Sequence, residues 1–127
     1  MNWISFAGIG IGAALGAWAR WLLGLWLNPI FTAIPLGTLA ANLIGGYLIG
    51  VGVMAFHLNA SLPLEVRLFC ITGFLGGLTT FSTFSAEVVA LIRADAWMMA
   101  LAAAGVHVIG SLLMTGLGIY TVQRLAQ

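Results

Sequence analysis

Four stretches of the chain are long and apolar enough to cross a bilayer as helix: Trp3–Leu27, Leu36–Leu58, Leu68–Ile92 and Trp97–Leu125. A crossing takes ~20 apolar residues. Inside lipid every backbone polar group must find a partner, which leaves only helices and closed barrels. The prolines, Pro29, Pro35 and Pro63, all fall between the stretches, where a missing N–H costs least. Trp3 and Trp26 bracket the first stretch, Trp97 and Tyr120 the fourth. Each pair spans about 35 Å at ~1.5 Å per residue, close to the separation of two membrane interfaces. Barrel strands would need ten-residue alternating segments, and these stretches lack that alternation. The expected fold is therefore all-α, a single four-span membrane domain over residues 1–127.

Composition removes the aqueous options. Only 6% of the 127 residues are charged and 62% are hydrophobic, against about 25% charged in soluble domains. A net charge of +1 with no basic run gives no grip on a nucleic-acid backbone. Cys70 is the single cysteine, so no intrachain disulfide or cysteine metal cluster can form. Ala17-Trp18-Ala19 has the small-x-small form of a leader cleavage site, but Met1 to Ala19 holds no Lys or Arg for a basic leading segment. The first stretch is accordingly expected to be a retained span. His57 and His107 lie in different spans, and neither a nucleophile–base spacing nor a metal-ligand motif is present. No enzyme is expected.

Orientation depends on arginine, since the chain has no lysine. With four spans, Arg67 and Arg124 fall on one side, while Arg93 and Arg20 fall on the other. The positive-inside rule needs an excess and finds none. Insertion both ways with antiparallel pairing is one reading, and a weak bias is the other. Four short helices enclose little, so a polar-lined pore would need a second subunit. Gly8, Gly12 and Gly16 form a small-residue stripe, and Gly46–Gly50 and Gly73–Gly77 repeat its spacing. Such stripes let helix backbones approach closely, between chains or within one.

Polar residues inside the spans mark the candidate site. Thr38, Asn42 and the Gly45-Gly46 pair share a face of the second span. His107, Ser111 and Thr115 stand at i, i+4 and i+8 in the fourth, a polar stripe about 12 Å long. Each hydroxyl alone would be expected to bond its own helix backbone; in register with a histidine they can hand a small ion from donor to donor. In the third span, Gly76 to Glu87 reads GGLTTFSTFSAE, five hydroxyls and a carboxylate in twelve residues. Its helix propensity is poor, so the helix is expected to break there. Unwound backbone at membrane depth is tolerated where it lines a wet or protein-buried site, and its freed carbonyls can hold ions. Phe81 and Phe84 are either packing or a pair of rings on an ion path, with edges favouring an anion and faces a cation. Arg20 can snorkel or bond carbonyls at a helix break. Glu87 can serve as a proton carrier, a pore-mouth group or a hydrogen-bonded carboxyl.

Three motifs carry a resemblance: GxxGGLTTFSTFSxE at Gly73–Glu87, GTLxxNLxGxxxxG at Gly37–Gly50 and GAxxRW at Gly16–Trp21. Together they resemble the Fluc/CrcB family of fluoride channels. The resemblance covers all four spans, and TTFSTF is its most specific part. It implies a four-span subunit in an antiparallel, dual-topology homodimer with two fluoride pores. It also implies fluoride roles for Asn42 as amide donor and for Phe81 and Phe84 through their ring edges. Ser82 and Thr83 would lie in the broken helix, with Thr38, Ser111 and Thr115 along a polar track. A structural sodium ion would sit at the dimer interface on carbonyls of Gly76 and Thr79 from both subunits. Arg20 matches the family's first-span arginine, and His107 stands where some relatives carry tyrosine.

The expected activity is passive, fluoride-selective export across a bacterial inner membrane, conferring fluoride resistance. The rival is a small dual-topology, proton-coupled multidrug antiporter. It needs a carboxylate deep in a span, for which Glu87 is the available group.

Overall fold

The structure is a computed structural model describing residues 2–127. Helix α1 (Trp3–Leu27) starts at Asn2, whose side chain accepts from Ile4 N–H, and runs out through a 3-10 turn at Asn28–Ile30. Helix α2 (Leu36–Leu58) follows, with Pro35 at its N-cap. The third span begins with α3 (Leu64–Arg67), one turn earlier than hydropathy places it. Pro63 sets that start: it stands at the N-cap, and its carbonyl accepts from Val66 and Arg67. The helix continues as a π-helical stretch (Leu68–Leu75) and the short α4 (Gly76–Leu78). Thr79 (φ −82°, ψ 153°) and Thr80 (φ −151°, ψ 121°) are extended. Helix α5 (Phe81–Arg93) then carries the chain out, and α6 (Trp97–Leu125) returns it. Among the described residues, four helical segments are long and apolar enough to cross a membrane.

Lipid supplies no hydrophobic force between helices, so close van der Waals approach must hold them together. The glycines provide it within the chain. A Cβ on Gly12 would meet Phe74 N at 2.9 Å, and one on Gly73 would meet Ile9 O at 2.8 Å. Gly16 and Gly77 are closer still, against Phe74 O and Ala13 O. The α1 stripe therefore seats on the third span, although Gly8 touches only the Phe69 side chain at 3.9 Å. Gly50 and Gly118 do the same between α2 and α6, against Thr115 O and Tyr47 O. Only a small core results, around Ala41, Leu75 and Leu78. Large apolar side chains such as Trp3, Leu101 and Leu112 stay on the outside, as lipid permits.

Asp95 closes the α5–α6 turn with φ 56°. Its N–H reaches Ile92 O at 3.0 Å, and Ala96 N–H reaches Leu91 O at 2.9 Å. This is a Schellman cap, with aspartate where glycine is usual.

Candidate functional site

An open groove of about 450 Å³ runs between α2, the third span and α6. It gathers Asn42, Gly76, Thr79, Phe81, Phe84, His107, Ser111 and Thr115, and adds Thr80. The four-residue spacing of the α6 stripe puts all three of its polar groups on this one wall.

The Asn42 side chain makes three contacts there. Its Oδ1 accepts from Thr80 N–H at 2.8 Å, and its Nδ2 donates to Thr80 O at 3.0 Å. The same Nδ2 lies 3.1 Å from His107 Nδ1. An amide nitrogen can only donate, so Nδ1 accepts and the imidazole proton sits on Nε2. His107 is 4% exposed, and its Nε2 has no hydrogen-bond partner among the described residues. That leaves one buried donor uncommitted at the groove wall.

The backbone at Thr79 and Thr80 frees oxygens. In a continuous helix Thr80 N–H would bond Gly76 O, and Thr83 N–H would bond Thr79 O. Here the first goes to Asn42 Oδ1, and the second goes to Thr80 Oγ1 at 3.2 Å, which caps α5. Neither carbonyl receives its helical donor. The Gly77 carbonyl beside the first of them is used: Arg20 Nε donates to Gly77 O at 3.1 Å. Arg20 thus bonds backbone of the third span rather than snorkelling away from it.

Phe84 is buried and Phe81 is 77% exposed at the groove lip. Their rings meet edge-on, with centroids 5.6 Å apart and planes at 65°. His107 covers one face of Phe84, which leaves ring edges as the larger part of what Phe84 can present. Thr115 Oγ1 lies within bonding distance of Gly46 O at 3.0 Å and Ser111 O at 2.9 Å, so its hydroxyl serves helix backbone.

Other candidates lie elsewhere. Thr38 Oγ1 donates to Glu87 Oε1 at 2.6 Å, which makes Glu87 a hydrogen-bonded carboxyl outside the groove. Thr38 instead lines a separate groove of about 320 Å³ with Arg20, Trp21 and Asn28. Ser82 and Thr83 do not line the main groove either; both hydroxyls turn to Thr80 Oγ1, at 3.4 and 3.1 Å. Thr80 itself was not singled out from sequence. The available signal was a threonine directly before the Phe81–Arg93 segment, a residue type favoured as a helix N-cap, but Thr79 and Ser82 beside it carry the same signal.

The family model described as "CrcB-like protein, Camphor Resistance (CrcB)" matches residues 7–119. A protein of Dechloromonas aromatica named "Fluoride-specific ion channel FluC" is 62% identical over 94% of this chain and 88% of its own length. One of the same name from Nitrosospira multiformis is 58% identical, over 100% of this chain and 99% of its own. A third, from Thiobacillus denitrificans, is 55% identical over 95% and 98%. Matched across nearly its whole length by the family model and by relatives of equal size, the chain belongs to the CrcB family.

Proposed function

We propose that this chain is the subunit of a fluoride-selective channel of the bacterial inner membrane, which exports fluoride passively and confers fluoride resistance. The observation that carries this reading is the 62% identity, over 94% of the chain, to a protein named as a fluoride-specific channel. The groove chemistry agrees with it. Fluoride is small and strongly hydrated, so it gives up water only to close hydrogen-bond donors. Among the groove-lining groups His107 Nε2 is an uncommitted donor and Ser111 adds a hydroxyl. Asn42 and Thr115 would have to release the bonds they make to Thr80, His107 and helix backbone in order to serve the ion. None of the four is a fixed positive charge that would trap it. Conduction needs binding loose enough to release. Edges of Phe81 and Phe84 carry the positive part of the ring quadrupole and suit an anion.

The third span works as two half-helices joined at Thr79 and Thr80. The freed carbonyls of Gly76 and Thr79 fit a hard cation, which takes oxygen ligands; contributed by two subunits, they would hold a structural sodium ion. When bound, that ion supplies positive charge at the interface and ties the half-helices together. An antiparallel homodimer would close the open side of the groove, where Phe81 is exposed. With Arg20 bonded inside its span, Arg67 and Arg124 face Arg93 alone, an excess of one charge. Such an excess is too small to fix a single orientation.

Export needs no coupled ion. Neutral HF crosses lipid, dissociates in the less acidic cytosol, and leaves as the anion driven by ~2.3 kcal/mol per charge per 100 mV. Purified protein in liposomes is expected to release fluoride passively and far faster than chloride. A folded dimer without fluoride efflux would overturn the proposal.

A further inference from the structure

We infer that Asn42 is a positioning residue for the cation site, holding open the carbonyl of Gly76 in addition to facing the groove. The inference rests on the cation reading above. Thr80 N–H is the group that would close the next helical turn on Gly76 O, and Asn42 Oδ1 intercepts it at 2.8 Å. Asn42 Nδ2 takes Thr80 O at 3.0 Å, so one side-chain amide engages both polar groups of the same residue. The second hydrogen of Nδ2 goes to His107 Nδ1 at 3.1 Å. The two Thr80 contacts require the observed orientation. A flipped amide would set NH2 against Thr80 N–H and oxygen against Thr80 O.

Without Oδ1, the Thr80 N–H loses its partner in a medium where an unbonded amide is costly. The nearest replacement in sequence is the helical one, Gly76 O. Closing that turn consumes an oxygen the cation would need. Asn42 therefore reaches the cation through the backbone, touching neither ligand itself. The Thr79 carbonyl is freed independently, by the Thr80 hydroxyl that caps α5.

The test is a sodium titration of purified protein at constant ionic strength, with N-methylglucamine as the replacing cation, read by thermal unfolding. Wild type is expected to rise in melting temperature with sodium and to give a midpoint. Asn42→Ala is expected to raise that midpoint by about tenfold or more, the usual effect of losing a group that orients metal ligands. Asn42→Ser provides the second variant if Asn42→Ala does not fold. A role in packing alone lowers the melting temperature at every sodium concentration without moving the midpoint, and would overturn the inference. His107→Phe keeps a ring against Phe84 and the Asn42–Thr80 pairing, so its midpoint is expected to stay in place. Fluoride efflux lost in Asn42→Ala with the midpoint unmoved assigns Asn42 to the anion alone and overturns the inference, while the cation reading stands. Wild type insensitive to sodium overturns both.

Discussion

The imidazole of His107 lies stacked on the ring of Phe84, with centroids 4.5 Å apart and planes at 30°. Phe84 is thereby clamped between α5 and α6, while Phe81, three residues away, is 77% exposed. The two rings should respond differently to the same change. Phe84→Ile is expected to cost about 1–2 kcal/mol of stability, as shape changes in packed sites do. Phe81→Ile should cost little. Both are expected to lower fluoride flux with the dimer intact, measured by liposome efflux and size-exclusion chromatography. Normal flux in both would remove the rings from the ion path.

Arg20 ties α1 to the third span through the 3.1 Å bond to Gly77 O. A hydrogen bond from a charged donor contributes about 1.5–3 kcal/mol, so Arg20→Gln is expected to lose stability on that scale in thermal unfolding. Arg20→Lys should not restore it, because an ammonium does not reproduce the planar, fixed-angle donor of a guanidinium.

Two glycines of the same helix separate packing from propensity. A Cβ at Gly16 would strike Phe74 O and Leu78 N, which are backbone atoms that cannot step aside. Gly16→Ala is expected to cost at least about 1–3 kcal/mol by overpacking. A Cβ at Gly10 would meet no atom within 4 Å among the described residues beyond its own stretch of helix. Gly10→Ala should be neutral or gain up to about 1 kcal/mol from helix propensity. Equal melting temperatures for the two variants would contradict the glycine-seated contact.

The Schellman cap at Asp95 gives a stabilising change far from the groove. An L-residue at φ 56° carries a steric penalty that glycine lacks. Asp95→Gly is expected to raise stability by up to about 1 kcal/mol with fluoride efflux unchanged. A lower melting temperature would mean that the aspartate side chain does more at the turn than tolerate its backbone.

The spans were legible because hydropathy and proline placement are local properties. What lay between spans was less so. The stripe of Gly12 and Gly16 was visible, but only coordinates show that it seats on the third span of the same chain. Thr38 and Asn42 share a face by spacing, yet they part company: four residues advance ~6 Å along the axis and overrun a full turn by ~40°. Thr38 thus bonds Glu87, while Asn42 reaches Thr80. That Arg20 bonds a carbonyl at a helix break is one of the two readings its sequence position allows, but the choice of Gly77 left no trace there, because a carbonyl acceptor has no side-chain identity. Thr80 was overlooked amid neighbouring hydroxyls, although its main chain, more than its side chain, joins it to Asn42.

The extended pair Thr79–Thr80 also implies an order of assembly. Asn42 bonds Thr80 and Arg20 bonds Gly77 just before the pair, and both side chains come from the two helices that precede it in the chain. A third span entering lipid without those neighbours would have to satisfy its own amides, which a continuous helix does. The interruption would therefore be acquired late, when the first two helices close against the third. A third span made without the first two helices should be straight where the four-span chain has a gap in its helical hydrogen bonding.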